Sequence, residues 1–168
     1  MSDAIGYPLP DDVEAVVEGV DAFTRAEVIP RWEANRELLE DVRYRFDESG
    51  RYADEVVAII REIRMASAAA GYFNLAVPTS MGGGGLGHLA YYAAWERIYH
   101  LCGGSNWLGQ FAISHWAFGP SKVLERVTER ARVEVLPGMM AGETMMCFGM
   151  SEPDAGSDAT RIRTRAVG

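Results

Sequence analysis

A turn crowded with hydroxyl and carboxylate groups is the segment of this sequence best suited to chemistry. It spans residues 151–158, reads SEPDAGSD, and follows the apolar stretch Met145–Met150, which reads as a buried strand. Pro153 fixes one backbone φ and Gly156 permits a positive one, so the backbone can curl and direct its N–H groups inward. Two serines of the turn, Ser151 and Ser157, can donate hydrogen bonds, and the side chain of Asp158 can cap the turn. Such a turn suits an anionic or flat polar ligand, although a purely structural turn explains the composition equally well.

Other candidate sites are weaker. The glycines at 82–85 lack the Lys-Ser/Thr of a phosphate-binding loop, so we expect a flexible turn there. The three histidines have no partner at metal-ligand spacing, and we predict no metal site. We expect His115 to be a buried hydrogen-bonding residue, with a place in a ligand pocket left open.

Charge and composition exclude several classes of protein. The net charge of −8 argues against nucleic acid and against an anionic membrane surface. No apolar run approaches the ~20 residues that span a bilayer, and the first residues do not resemble a secretion signal. Two cysteines are too few for a disulfide scaffold. We therefore expect a cytoplasmic protein without membrane insertion.

Periodic apolar residues predict a chain made mainly of helices. A first helix should begin at residues 11–12 and be ended or kinked at Pro30, which has no N–H to donate. A second should run from about Ala53 to Ala70 and close at Gly71 in a left-handed cap. The residues at 75–78 should form an extended connector. The stripes expected to face the core are Val13, Val16, Val17, Val20 and Phe23, then Val56, Val57, Ile60, Ile63, Ser67 and Ala70.

The second half is predicted to hold more helix before any strand. A third helix should end near residues 102–104 and carry Tyr91, Tyr92, Trp95, Ile98 and Tyr99. Residues 105–117 are apolar nearly all round and should form a central buried helix, so the aromatic residues from Tyr91 to Phe118 are expected in the core. Short helices should follow over 120–124 and 129–136, the last closed by Pro137-Gly138, and strand should begin at Thr144.

Two stretches resemble motifs of the acyl-CoA dehydrogenase family. The first is GYFNLAVP at residues 71–78, continued by GGGGLG at 82–87; the second is FGMSEPDAGSD at 148–158. Their order and spacing match the family, and the second motif is the specific one. The resemblance covers roughly residues 55–168 and, less closely, the first helix.

The resemblance implies a fold class: mainly α, with an acyl-CoA dehydrogenase-type N-terminal helical domain over residues 1–142. Residues 143–168 would be the incomplete start of the middle β-barrel domain. It also implies FAD as the cofactor. The positions that match flavin contacts in the family are Phe148, Met150, Ser151, Gly156 and Ser157, and Ser157 also matches an acyl-CoA contact.

The family's reaction sets the expected role of the chain. A base takes the α-proton of an acyl-CoA thioester while the β-hydride passes to flavin N5, and donors stabilise the developing charge. In the family that base is a glutamate of the C-terminal helical domain, to which no residue here corresponds, so no catalytic residue is assigned. The expected partners are an acyl-CoA substrate, a flavin-linked electron acceptor and a homo- or hetero-oligomeric partner that supplies the missing domains.

Departures from the family pattern leave alternatives open. Trp107, His115 and Trp116 make the predicted central helix bulkier than is common, which would narrow or redirect the acyl pocket. The chain stops at Gly168, where strand pairing is expected, so we interpret it as an N-terminal part of something larger. The alternatives are a non-catalytic docking subunit of the same fold and a same-fold acyl-CoA oxidase or flavin monooxygenase. Intact Ser151, Gly156 and Ser157 favour the dehydrogenase, because a docking module does not need them.

Overall fold

Helices dominate the architecture, as the apolar periodicity predicted. The structure is a computed structural model, and it describes residues 8–165 and residue 167. Two isolated antiparallel bridges, Phe46 with Tyr52 and Glu152 with Ala155, are the only β-type pairings in this described part. None of its helices is long and apolar enough to cross a membrane. The mainly α fold class is confirmed.

The helices, in chain order, are α1 (Asp11–Phe23), a π-helical turn (Thr24–Val28), α2 (Ile29–Ala34), α3 (Arg36–Glu40), α4 (Val42–Arg45), α5 (Asp54–Ala69), α6 (His88–Cys102), α7 (Glu129–Glu134) and α8 (Leu136–Met140). The helices up to α5 follow one another closely along the chain, whereas longer connections, residues 70–87 and 103–128, flank α6. Short 3₁₀ turns lie at Thr79–Met81, Trp107–Phe111, Lys122–Arg126 and Ala159–Arg161. The main core lies where α5, the π turn and the Trp107–Phe111 turn meet.

The first helix does not end at Pro30. A π turn follows α1, and the N–H of Ile29 donates to the carbonyl of Thr24, five residues back. Pro30 then lies in the first turn of α2, where a backbone N–H is not needed. Of the two predicted outcomes, a helix end at Pro30 is wrong, because the proline fits the first turn of α2. Regular α-helical bonding is nevertheless interrupted just before it, at the π turn.

The second helix is confirmed almost residue for residue. α5 spans Asp54–Ala69, and Gly71 has a φ of +85°, as a left-handed cap requires. Its buried face consists of Val56, Ile59, Ile60, Ile63, Arg64 and Ser67. The predicted burial of Val57 and Ala70 is wrong, since both are exposed.

The connector after α5 is a series of turns instead of an extended segment. Leu75 donates its N–H to the carbonyl of Tyr72, and Val77 donates to that of Asn74. The glycine turn packs against these residues, and all four of its N–H groups are used by backbone carbonyls at positions 79, 78, 74 and 77. A turn is confirmed at 82–85, but it is tightly packed, and its amides are not free to bind a phosphate.

The face that α6 buries was predicted correctly only in part. The buried residues are Ala90, Ala93, Ala94, Ile98 and Cys102. Of the predicted stripe, Ile98 is therefore confirmed, and Tyr91 and Trp95 are half-buried against the main core. The predicted burial of Tyr92 and Tyr99 is wrong, since they are 65% and 50% exposed. The helix also packs closely on α1, where Val13 and Val17 meet Ala90 and Ala93, and small side chains allow that approach.

Residues 105–117 are buried for the most part, as expected, but they do not form a continuous helix. Helical bonding is limited to the 3₁₀ turn Trp107–Phe111. Ser114 donates its N–H to the carbonyl of Phe73 at 2.8 Å, which takes the backbone out of any helix. Trp116 is 55% exposed, so the prediction that the aromatic residues up to Phe118 lie in the core fails there too.

The C-terminal third also differs from expectation at two points. Pro137 and Gly138 lie inside α8 instead of closing the preceding helix, because proline fits the first helical turn. No strand is found in the described residues from Thr144 onward. A strand needs a neighbour for its ladder bonds, and here only Met146 donates to a distant backbone, at the carbonyl of Phe118.

Candidate functional site

The segment leading to the candidate site is fixed at the end of α8 by α5. Arg64 of α5 donates its Nε to the carbonyl of Gly142 at 3.0 Å and its Nη2 to that of Glu143 at 3.4 Å. Asn74 donates its Nδ2 to the carbonyl of Met140 at 2.6 Å. These bonds set the direction in which residues 143–150 leave the helical domain.

Residues 145–150 run exposed along the loop that contains His115 and Trp116. Met146 donates its N–H to the carbonyl of Phe118 at 3.3 Å. Two residues later the ring of Phe148 meets that of Trp116 edge to face, with centroids 4.8 Å apart and planes at 77°. The predicted buried strand is therefore an exposed segment, held to the loop by one backbone bond and one aromatic contact.

The turn at residues 151–158 closes on itself. Glu152 and Ala155 exchange backbone hydrogen bonds, with N···O distances of 2.9 and 3.1 Å. The side chain of Ala155 is buried. Asp158 accepts a hydrogen bond from the N–H of Thr160 at 3.2 Å, so it caps the following 3₁₀ turn, Ala159–Arg161, and not the turn at 151–158 as expected.

Glu152 ties the following residues back onto this turn. Its carboxylate accepts the backbone N–H groups of Arg163 and Thr164, both at 2.8 Å, and the hydroxyl of Thr164. The bonds from the Arg163 N–H and from Thr164 hold the pKa of Glu152 below its usual range. The SEPDAGSD turn is thus one face of a small hydrogen-bonded loop.

The five predicted flavin-contact residues all lie on the outside of this loop or of the segment before it. Phe148 and Met150 are 45% and 43% exposed, and the other three, Ser151, Gly156 and Ser157, are exposed as well. Within the described residues the hydroxyls of Ser151 and Ser157 make no hydrogen bond. Free hydroxyls and an open backbone fit the polar edge and the phosphates of a flavin nucleotide.

The backbone conformation of Gly156 differs from the prediction. Its φ is not among the positive glycine φ values, so the expected left-handed conformation is wrong. A Cβ placed on Gly156 would meet no atom within 4 Å. The residue therefore leaves open space beside the backbone, and the turn gets its curl from the Glu152–Ala155 bonds.

His115 holds the neighbouring loop in shape. Its Nδ1 accepts the N–H of Ala117 at 3.1 Å, and its ring stacks on Phe118 with centroids 5.0 Å apart. Burial lowers the pKa of His115, which favours the neutral ring that this acceptor role requires. The expected hydrogen-bonding role is confirmed, although the side chain is half-buried.

An apolar cavity of about 210 Å³ opens beside α5. It is lined by Tyr52, Val57, Ile60, Arg64, Phe111 and Met145. The sequence pattern did not indicate this cavity, since it assigned Val57 to the core and Met145 to a strand. No group of three or more metal-ligating side chains occurs in the described part of the chain.

Comparison with known proteins agrees with the architecture. The family model for the acyl-CoA dehydrogenase N-terminal domain matches residues 10–143. The very long-chain specific acyl-CoA dehydrogenase of Macaca fascicularis is 29% identical over 99% of this chain and 27% of its own length. The human enzyme of the same name is 33% identical over 79% of this chain and 20% of its own length.

A further relative is a subunit of a larger complex. The caffeyl-CoA reductase-Etf complex subunit CarC of Acetobacterium woodii is 30% identical over 80% of this chain and 33% of its own length. This chain thus spans between a fifth and a third of these relatives. No solved structure matches it significantly. With its helical fold and a family match over residues 10–143, the chain belongs to the acyl-CoA dehydrogenase family.

Proposed function

We propose that this chain is the N-terminal portion of an FAD-dependent acyl-CoA dehydrogenase. Residues 1–142 would form the helical domain and residues 143–168 the start of the middle β-domain. The observation that carries the proposal is the exposed turn at 151–158, which follows the residues matched by the family model. Two hydroxyls of this turn make no hydrogen bond in the described residues. Glu152 holds the turn to the residues that come after it.

The residues of the turn divide the work of binding. Ser151 would donate its hydroxyl near the reactive edge of the flavin, while Phe148 and Met150, just before the turn, would lie along the ring. Gly156 would leave room for a phosphate, and the Ser157 hydroxyl would bond to the pyrophosphate or to the acyl-CoA. FAD, when bound, supplies the acceptor for the hydride that leaves the acyl thioester. The base that takes the α-proton is assigned to no residue of this chain.

The proposal includes partners. An acyl-CoA is the substrate, and a flavin-linked protein is the electron acceptor; the naming of one relative as a subunit of a reductase-Etf complex supports a partner of that kind. A homo- or hetero-oligomeric partner would supply what lies outside these residues. A cytoplasmic location is also proposed, supported by the free thiols of Cys102 and Cys147.

The test is a native mass spectrum and an absorbance spectrum of the protein purified from its own source. We expect an assembly that carries FAD, and we expect Ser151→Ala and Ser157→Ala to release flavin more readily than the wild type. Ser105→Ala is the matched control, since Ser105 is exposed on a turn remote in sequence from the site. A flavin-free species, or equal flavin occupancy in all four proteins, contradicts the proposal.

One observation favours a second candidate, a docking subunit of the same fold. Leu89, Tyr92 and Tyr99 expose large apolar side chains on α6 at 48%, 65% and 50%. Exposed apolar residues on one element are typical of protein–protein contacts. An assembly that contains a second polypeptide and no flavin would support this candidate over the first.

A further inference from the structure

Trp116 and Phe148 form an aromatic corner, defined by these two rings, beside the proposed flavin site. We propose that Trp116 is a flavin-contacting residue, and that the aromatic corner receives the isoalloxazine ring of FAD. The proposal deepens the proposed function and rests on it. Phe148 belongs to the motif at 148–158, whereas Trp116 comes from a loop that the motif does not include.

The geometry of the corner suits a flat ring system. The two ring planes stand at 77° and the ring centroids are 4.8 Å apart, so the faces of the two rings are nearly perpendicular. A flat heteroaromatic ligand placed there stacks on one ring and makes an edge-to-face contact with the other. Both arrangements are favourable for aromatic pairs.

Trp116 is held in place although its ring is exposed. Ser114 donates its N–H to the carbonyl of Phe73 at 2.8 Å and its hydroxyl to that of Pro120 at 2.7 Å. Gly119 donates its N–H to the carbonyl of His115 at 2.8 Å. A Cβ on Gly119 would lie 2.8 Å from Cβ of Ser114, so the loop leaves no room for another residue type. A preorganised loop lowers the entropy cost of binding at its tip.

Burial does not account for the position of Trp116. The residue is 55% exposed, whereas Trp32 of α2 is 3% exposed in the core. Its ring contacts are with Phe148 and with the half-buried His115. A tryptophan presented in this way contributes little to folding and keeps a large apolar face available to a ligand.

We assign the corner to isoalloxazine instead of adenine because Phe148 lies close in sequence to Ser151. Three residues after Phe148 comes Ser151, whose hydroxyl is free within the described residues and proposed to bond near the reactive edge of the flavin. The adenine end of FAD lies at the far side of its pyrophosphate. Riboflavin, which has the isoalloxazine ring and no adenine, separates these two occupants.

The test measures flavin affinity and tryptophan fluorescence emission in the protein purified from its own source. The variants are Trp116→Phe and Phe148→Leu. Trp95→Phe is the matched control, because Trp95 lies on α6 and its aromatic contacts within the described residues are with Tyr91 and Tyr99 and not with either ring of the corner. The difference in emission between the wild type and Trp116→Phe reports Trp116 alone. Far-UV circular dichroism checks that every variant is folded.

We expect FAD and riboflavin to quench the Trp116 emission and to bind about 3- to 10-fold more weakly to each corner variant, with Trp95→Phe unchanged. Equal affinity of the wild type and Trp116→Phe for both ligands overturns the inference and leaves the proposed function standing. Weakened FAD with unchanged riboflavin also overturns it, because adenine would then occupy the corner. A wild-type protein that binds no flavin overturns both proposals.

Discussion

Arg64 in α5 and Gly142 after α8 are joined by a 3.0 Å hydrogen bond across 78 positions of the chain. The arginine is 4% exposed, and its Nη1 is buried without a partner in the described residues. Burial lowers the pKa of Arg64, since a charged guanidinium is costly to desolvate. The contact therefore uses a buried charge to fix the point where α8 ends and the candidate site segment begins.

Gly142→Ala tests this junction. Gly142 has a φ of +74°, and a Cβ there would lie 2.6 Å from the carbonyl carbon of Arg64. Strain and the clash together should lower the free energy of unfolding by about 3 kcal/mol or more. Urea denaturation gives the measurement.

The control for that change is Gly149→Ala, seven residues on, where a Cβ meets no atom within 4 Å. We expect its effect to stay within about 0.5 kcal/mol. Equal stability of both variants would show that the Arg64–Gly142 junction is not a constrained point of the fold.

Alanine substitutions in the glycine turn at 82–85 should lower the free energy of unfolding by different amounts. A Cβ on Gly83 would lie 2.2 Å from the carbonyl oxygen of Val77, so Gly83→Ala should lower the free energy of unfolding by about 3 kcal/mol. Gly82 has open space but a φ of +86°, and Gly82→Ala should lower it by about 1 kcal/mol. Gly104→Ala, outside this turn, meets neither problem and should be neutral.

Thermal unfolding of the three variants checks this order. The expected ranking is Gly83→Ala lowest and Gly104→Ala equal to the wild type. A wild-type melting temperature for Gly83→Ala would mean that the turn is looser than its hydrogen bonds indicate.

Protonation of Glu152 should release the residues that follow the SEPDAGSD turn. The folded-state pKa of Glu152 is lowered, so its stabilising contribution is present above the usual value of 4.5 and is lost as the pH falls through the folded-state pKa. Glu152→Gln should remove the contribution at all pH values. Amide exchange at Arg163 and Thr164, whose N–H groups the carboxylate accepts, is the measurement.

Asp154→Asn is the control for Glu152, because within the described residues the Asp154 side chain makes only a long contact, 3.4 Å, with Arg163. We expect it to keep the protection of both amides. Wild-type protection in Glu152→Gln would show that another group holds these residues.

The loop that contains His115 and Trp116 should become less stable at low pH. The folded-state pKa of His115 is lowered from 6.5 by burial, so the stability gained from its neutral ring is complete above pH 6.5 and is lost as the pH falls through the lowered folded-state pKa. A protonated Nδ1 cannot accept the N–H of Ala117. Trp116 emission followed from pH 7.5 downward should shift in the wild type.

His115→Gln should abolish that pH-dependent shift, while His88→Gln, at an exposed position on α6, should retain it. An unchanged shift in His115→Gln would assign it to a different titrating group.

Local signals account for what the sequence predicted well. The bounds of α5 follow from an apolar stripe that ends at a glycine, and Gly71 adopts the expected left-handed conformation. The capping by Asp158 is equally local, since its side chain reaches the N–H of a residue two positions on, although the turn that it caps is the following one.

Tertiary contacts decided what it predicted badly. The large side chains of α6 match an apolar stripe, but the approach of α1 leaves room only for alanines such as Ala90 and Ala93. Helical periodicity at 105–117 is broken by the bond from Ser114 to Phe73, a partner that the local pattern does not reveal. The motif at 148–158 predicted the proposed flavin contacts, but it does not include Trp116, of which the sequence showed only the unusual bulk.

The π turn between α1 and α2 lets one buried face continue past a proline. Buried residues recur every four positions along this stretch, at Val20, Thr24, Val28 and Trp32. In a continuous α-helix the ring of Pro30 would crowd the carbonyl of Ala26, four residues back. A wide turn just before the proline relieves that crowding, and the proline then lies in the first turn of α2. The same side of the chain therefore faces the core before and after a residue that would otherwise interrupt the helix.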